Sequence, residues 1–298
     1  MSPRFDVAVV GELNADVIFT GGWPEPGREV VADAGMLTLG SSGAIFAADC
    51  ARLGLSVAFC GLLGRDALGA FVHGELEHAG VAPAGVRERD DVATGLTVSI
   101  TGPGDRAMLT FPGAMAAFGA DEVDWTTIAA ARHLHVSSPY LQDALRPELP
   151  ALLARARSLG LTTSLDPGWD PRERWRDVLP CLLHLDLFLP NEPEAVAIAG
   201  AASAEEALER LLGPLVAIKL GERGAVATGG VAAAAVPSDV VDATGAGDGF
   251  DAAFVWGWLG GRPLADCLRL GCVAGARVAG AAGGTAGFPA AAELAAAL

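Results

Sequence analysis

The chain has 298 residues, 51% of them apolar, and carries 36 acidic against 20 basic side chains for a formal charge of −16. That length and apolar content can bury a substantial core, and no linker-like stretch divides it, so one α/β domain over residues 1–298 is expected. The acidic balance argues against nucleic acid or an anionic membrane as a partner, because Lys219 is the sole lysine and no arginines cluster. Five cysteines, at 50, 60, 181, 267 and 272, are odd in number, lack C-x-x-C spacing and sit in apolar surroundings. They read as reduced core thiols. No charged-then-apolar leader opens the sequence, and no apolar run reaches the roughly 18 residues of a membrane span. A soluble, cytoplasmic protein is expected.

Residues 5–11 form an apolar run after Asp6, the mark of a strand buried on both faces of a parallel sheet. Polar groups follow at once in Glu12-Leu13-Asn14-Ala15-Asp16. The carboxyl end of such a strand is where open α/β sheets bind ligands; an Asx turn leaving the strand accounts for the same letters. Residues 17–39 alternate β-type apolar residues with turns, and residues 93–101 and 106–112 flank a hairpin signal at Gly102-Pro103-Gly104-Asp105. These segments, about 14–39 and 93–112, are expected to meet as a small β lid. Gly40-Ser41-Ser42-Gly43 precedes a helix-compatible run over 44–53, where its hydroxyls and amides suit either ligand contact or an N-cap. The G-x-x-G-x-D-x-x-G from Gly61 to Gly69 fails the spacing of a dinucleotide fingerprint. His133 and His135 face one side of a strand, and with no Cys or carboxylate at ligand spacing they read as packed histidines.

Beyond residue 144 strand and helix alternate: helix over 144–159, strand over 161–165, the turn Asp166-Pro167-Gly168-Trp169, strand over 186–189, then a helix opened by Asn191-Glu192-Pro193-Glu194. Asn191 and Glu194 have the spacing of a capping box. Strand 214–220 leads to the turn Gly221 to Gly224, beside which Lys219 is either solvated or within reach of a phosphate. Strands of buried type alternating with helices give an α/β fold, doubly wound around a mainly parallel sheet flanked by helices. Then comes V-D-A-T-G-A-G-D-G-F-D-A-A-F at 241–254. A strand-like lead-in over 232–236, the turn Gly245-Ala246-Gly247 and a helix running to 259 leave backbone N–H groups at the helix start pointing at an anion. Asp248 at that mouth would repel a phosphate unless it has another task. The task that fits is taking a proton from an attacking hydroxyl while the amides of 245–247 hold the phosphoryl group in transfer. A helix over 264–280 and a glycine-rich loop over 283–287 follow.

Over nearly its whole length the chain resembles the ribokinase-like carbohydrate kinases, also called the PfkB family. D-A-T-G-A-G-D-G-F is similar to that family's D-T-T-G-A-G-D, with Ala243 a mild departure. The resemblance implies Asp248 as catalytic base and Gly245, Ala246 and Gly247 as the anion hole. Asn14 and Asp16 match the family's N-x-D, which grips sugar hydroxyls, and Ser41, Ser42 and Gly43 belong to the same substrate side. ATP is implied against Asn191, Gly221, Gly224 and Gly284, with Lys219 beside them. Asn191 and Glu194 match N-x-x-E, which organises water and Mg²⁺ around the phosphates. Carbonyls of Asp242 and Thr244 with the 283–287 loop imply a monovalent cation, K⁺, and the lid implies a homodimer. Two departures stand out: Ser41 breaks the family's glycine pair, and Ile45 replaces its Asn, which separates this chain from ribokinase itself. With no G-x-x-x-x-G-K-[ST] it is no P-loop kinase. The expected activity is ATP- and Mg²⁺-dependent phosphorylation of a primary hydroxyl on a small sugar or sugar-like alcohol. Beside it stand a nucleoside kinase using Trp169 or Phe111 to stack a base, a sugar-phosphate kinase using Arg28 and Arg106, and a catalytically silent binding protein.

Overall fold

The computed structural model describes residues 4–102 and 105–298. In chain order the strands are β1 (Phe5–Val10), β2 (Asn14–Thr20), β3 (Ala34–Leu39), β4 (Val57–Gly64), β5 (Ala82–Arg89), β6 (Gly95–Gly102), β7 (Asp105–Phe111), β8 (Ala131–Ser137), β9 (Thr162–Asp166), β10 (Leu187–Phe188), β11 (Leu215–Lys219), β12 (Ala225–Ala227) and β13 (Val231–Ala233). The helices are α1 (Ser42–Arg52), α2 (Ala67–His78), α3 (Ala114–Ala117), α4 (Trp125–Ala129), α5 (Leu149–Ser158), α6 (Glu192–Ala199), α7 (Ala204–Arg210), α8 (Ala246–Leu259), α9 (Leu264–Ala279) and α10 (Ala291–Ala295).

Nine strands pair in the order β13-β12-β11-β10-β9-β8-β1-β4-β5. All are parallel from β5 to β11, and β12 and β13 join antiparallel at one edge. Successive side chains of a strand point to opposite faces. In β1, Val7 and Val9 enter the apolar cluster built with Phe46 of α1 and Phe254 of α8, while Ala8 and Val10 enter the one built with Leu152 of α5 and Ile198 of α6. Both faces are therefore covered, as the continuous apolar runs require. The sheet is doubly wound, as expected. His133 and His135 do share a side, both meeting Ser164 Oγ at 2.7 and 2.8 Å. Burial pushes both imidazoles down to about 3, so they are neutral packing groups.

A second sheet, β3-β2-β6-β7, holds the lid segments. The expected hairpin turn between β6 and β7 falls on Pro103 and Gly104, outside the described residues. Strand order fixes where the sheets leave a crevice. From β1 the chain moves to β4 and β5 on one side and later to β8, β9 and β10 on the other, so the switch point lies between β1 and β8 at their carboxyl ends.

Two boundaries differ from expectation. The helix expected over 144–159 starts only at Leu149, after a 3-10 turn at Arg146–Glu148, because Pro147 and Pro150 suit a helix's first turn and not its interior. The approach to the 241–254 stretch is not a strand. The apolar run 232–236 was expected as a strand leading into the signature, but β13 stops at Ala233 and residues 234–243 are irregular. Pro237 has no N–H for a ladder, and at Gly224 a side chain would collide with the Ala233 carbonyl and the Ala235 amide, so this stretch is packed against the preceding turn. Gly61 to Gly64 continue β4 as strand, their register with β5 running to Gly64 opposite Arg89.

Candidate active site

Helix α8 begins at a glycine in the left-handed region. Side chains of Ser41, Asp66, Asp124, Asn191 and Ser203 cap the starts of α1, α2, α4, α6 and α7, whereas α8 starts at Gly245 with no side-chain cap, as α3, α5 and α9 also lack one. Its first-turn amides are the kind of donors an anion takes. Gly245 sits at φ +76, and a Cβ there would lie 2.2 Å from the Gly284 carbonyl oxygen, so only glycine allows this turn. Asp242 fixes the turn from below. Its carboxylate accepts from the Thr244 amide and hydroxyl at 2.9 and 2.7 Å and from the Gly283 amide at 3.1 Å. The 242–248 segment and the 283–287 loop are thereby one unit.

Asp248, half-buried in the first turn of α8, does not bend back to cap its own helix. The Ser42 hydroxyl favours its charged form instead. Burial, followed by the Asp166 carboxylate, pushes its carboxyl up to about 7, against the pull of Ser42 and Lys219, with Asp16 adding to the rise. A carboxylate poised there is matched to accepting a proton at neutral pH.

The lid supplies the other wall. Asn14 donates to Asp16 Oδ1 at 2.7 Å and to Thr97 Oγ1 at 3.0 Å, and Thr97 lies 3.1 Å from Thr110 Oγ1, so Asn14 is held from β6 and, through Thr97, from β7. A side chain at Gly40 would stand 2.1 Å from Asp16 Oδ1. Ser41 accepts from the Ala44 amide at 3.1 Å, so its hydroxyl is an N-cap. It does this at φ 66, a conformation strained for serine, at the position where the resembled family keeps glycine. Ile45 places Cδ1 where a Cβ on Gly284 would come within 2.5 Å, turning the family's Asn position into an apolar brace for the 283–287 loop.

At the start of α6, Asn191 and Glu194 form a reciprocal capping box: Glu194 accepts from the Asn191 amide and side chain at 2.9 and 2.6 Å, and its own amide donates to Asn191 Oδ1 at 3.0 Å. Burial and then Asp166 push the Glu194 carboxyl up to about 7. Lys219 is neither solvated nor a free arm. Its ammonium donates to Asp166 Oδ2 at 3.2 Å and Asp251 Oδ2 at 2.9 Å, with 12% of the side chain exposed. It nonetheless lies close to the helix start, since a Cβ on Gly247 would stand 3.6 Å from Nζ. Gly221, at φ +59, has open space where a side chain would be.

Sequence reasoning left three site neighbours without roles. Glu12, 2% exposed, accepts from Ser137 at 3.3 Å and Gln142 at 3.4 Å across the β1–β8 switch point. Burial first, and Asp248 among the lesser causes, push its carboxyl up to about 8. Asp49 and Asp251 are buried on α1 and α8. Asp251 was inside the quoted signature, three residues after Asp248, and that spacing was the signal available for it.

Residues 4–291 match the pfkB family carbohydrate kinase. An ATP-dependent ribose-1-phosphate kinase from Halopiger xanaduensis is 31% identical over 287 residues, covering 93% of each chain. The structure of Arabidopsis thaliana ribokinase complexed with ribose and ATP matches with a TM-score of 0.85 at 25% identity, covering 100% of this chain and 99% of that one. A putative ribokinase II from E. coli, in complex with ATP and Mg²⁺, matches in fold with a TM-score of 0.88 at 21% identity, covering 100% and 99%. With the uncapped helix start and its carboxylate at the crevice, these likenesses place the chain in the pfkB family of carbohydrate kinases, phosphotransferases that use ATP and a hydroxyl acceptor.

Proposed function

We propose that the protein transfers the γ-phosphoryl group of ATP to a primary hydroxyl of a small sugar or sugar-like alcohol, with Asp248 as general base. The observation that carries this is the start of α8, where a glycine turn without a side-chain cap stands beside the Asp248 carboxylate, whose charged form the Ser42 hydroxyl favours. The acceptor oxygen attacks the γ-phosphorus, its proton passes to Asp248, and the bond to the β-phosphate oxygen breaks to release ADP. Amides of Gly245, Ala246 and Gly247 hold the charge on the group in transfer. Asp16, fixed by Asn14, accepts from acceptor hydroxyls, with Ser42 and Gly43 along the same wall and Ser41 holding the helix start.

ATP lies along Asn191, Gly221, Gly224 and Gly284 in this reading. Mg²⁺ supplies charge neutralisation between the β- and γ-phosphates when bound. Among the described residues no group of three or more His, Cys, Asp or Glu forms a metal cage. Both Glu194 oxygens are engaged by Asn191, so Glu194 suits an ion held through water and phosphate oxygens. The Asp242 and Thr244 carbonyls beside Gly283 suit a K⁺ ion.

A free sugar is favoured over the two sibling substrates. Phe111 pairs across Leu96 on the face of the lid opposite Asp16, so it is turned away from a base in the crevice. Arg28 is exposed and paired to Glu25 at 3.2 Å, and the side chain of Arg106 lies outside what is described. The apolar outer face of the lid supports a homodimer. Five free, buried cysteines support a reducing, cytoplasmic setting.

ADP release measured with ATP and Mg²⁺ across free sugars, nucleosides and sugar phosphates tests the reading. Wild type should turn over with a free sugar, and Asp248→Asn should lose about 10²- to 10⁴-fold in kcat. Asp248→Asn turning over near the wild-type rate with its fold intact overturns the base, and turnover confined to sugar phosphates or nucleosides overturns the acceptor.

A further inference from the structure

Behind the start of α8 lies a buried ion cluster that the transfer step does not use. Lys219 leaves the end of β11 with its backbone amide bonded to the Pro190 carbonyl at 3.0 Å, which anchors the side chain at the sheet's carboxyl edge. Its ammonium has three donors; two go to Asp166 at the end of β9 and to Asp251 on α8. Asp251 Oδ1 is buried with no hydrogen-bond partner. Asp251 lies one turn beyond Asp248 on the same helix, so the ammonium joins that helix to two strands of the main sheet. The distance from Nζ to a would-be Cβ of Gly247, 3.6 Å, puts this charge against the back of the anion hole.

The charges around Asp248 are otherwise of one sign. Asp166, Asp16 and Glu194 act on it from β9, β2 and α6. Glu12 and Asp49 act from the β1–β2 connection and α1. His135 on β8, adjacent to Asp166, is neutral. A carboxylate surrounded in this way stays protonated at neutral pH unless a cation stands near. Burial works against the charged form of Asp166, yet Lys219 holds its carboxyl below the usual value, so the ammonium is what the cluster depends on.

We propose that Lys219 is a positioning residue for phosphoryl transfer: by gripping Asp166 and Asp251 it fixes the start of α8 and supplies the positive charge that offsets the acidic ring around Asp248. Removing an ion from such a cluster leaves buried carboxylates uncompensated. The inference rests on Asp248 being the base and goes beyond it, because it assigns the lysine to the protein's own carboxylates rather than to the nucleotide.

The test is the pH profile of kcat/KM for the acceptor in wild type, Lys219→Met and Lys219→Met/Asp166→Asn, with ATP KM measured alongside. Lys219→Met should move the acid limb up by about one to three units, cutting activity at neutral pH about tenfold or more and recovering much of it in alkali, with ATP KM little changed. Removing the Asp166 charge as well, the largest one acting on Asp248, should bring the limb back toward wild type. Should Lys219→Met alone fail to fold, the comparison is Asp166→Asn against the double variant, and the double variant should have the higher limb. An unmoved acid limb, or a loss of activity equal at every pH, overturns the proposal; so does a rise in ATP KM with the limb in place, which makes the lysine a nucleotide contact. Wild-type turnover with an unmoved limb defeats only the role of Lys219, whereas undiminished turnover in Asp248→Asn defeats the base itself.

Discussion

Asp248 is held where its charge is costly, and that gives its replacement an opposite effect on stability and on rate. Its carboxyl ionises near 3.8 in an unfolded chain and at about 7 in the fold. Between those values the folded form keeps a proton the unfolded form has lost. Its contribution to stability is therefore full below about 3.8 and declines as pH rises through about 7. Asp248→Asn, neutral throughout, should melt higher than wild type at about pH 9 and show little gain at about pH 4, as read by calorimetry. A second residue-scale outcome concerns Gly40. With Asp16 Oδ1 only 2.1 Å from the place a Cβ would take, Gly40→Ala should displace the Asn14–Asp16 pair. It should lower kcat/KM for the acceptor by about 10- to 100-fold while leaving ATP KM unchanged in steady-state kinetics. At this scale the sequence was most informative where chemistry forces a residue type: Gly245 and Asp248 stand at one helix start, and Asp16, bonded by Asn14, is among the charges acting on Asp248. It was silent on Glu12 and on the partners of Lys219, because ion pairs between β9, β11 and α8 depend on contacts 32 and 53 residues apart that no local spacing encodes.

Helix starts show how one local rule serves two ends. At α2, Asp66 accepts from the Gly69 amide at 2.8 Å and, with its other oxygen, from the Thr94 amide at 2.8 Å, so a single carboxylate caps the helix and ties it to the strand entering the lid. This is the structural reading of the G-x-x-G-x-D-x-x-G motif. Asp66→Ala should cost about 0.5–2 kcal/mol in denaturant unfolding. Burial opposes ionisation of Asp66, but these amide bonds prevail and hold its carboxyl below the ordinary value, so the stabilisation is present above the usual carboxylate range and lost as pH falls through it. At α8 no side chain fills this role, and the turn at Gly245 starts the helix instead. The sequence reveals caps well, since Ser, Asp and Asn before an apolar run are local signals. It misplaced the approach to α8 because an Ala-rich run reads as strand whether or not a partner ladder exists. What denies residues 234–243 a ladder is Pro237 and the packing at Gly224.

At the scale of the whole molecule the lid is the unresolved surface of an otherwise closed architecture. Alternation within its strands separates two faces. One carries Asp16, Thr97, Thr110 and Thr38 toward the crevice, and Met36 reaches within 3.7 Å of a would-be Cβ on Gly283. The other carries Val17, Leu37, Val98 and Leu109 in one cross-strand row and Phe19 with Ile100 in the next. Near its base this outer face is covered by α2, where Ala15 and Leu39 join Val72 and Leu76 in the core. Farther out it is bare: Leu109 is 77% exposed, Leu37 45% and Phe19 38%. That such a sheet would form was legible from alternating apolar residues; which face would be bare was not, because it depends on where α2 docks. Contiguous apolar sheet surface of this kind is buried by association more often than left in water, and a second lid offers a self-complementary surface of the same chemistry. Sedimentation velocity should find wild type as a dimer. Leu109→Asp, which puts a charge at the centre of the exposed row without touching the crevice face, should sediment as a folded monomer. A wild-type protein that is monomeric at micromolar concentration, or a Leu109→Asp variant that remains dimeric, would place the interface elsewhere and leave the lid as a cover for the acceptor alone.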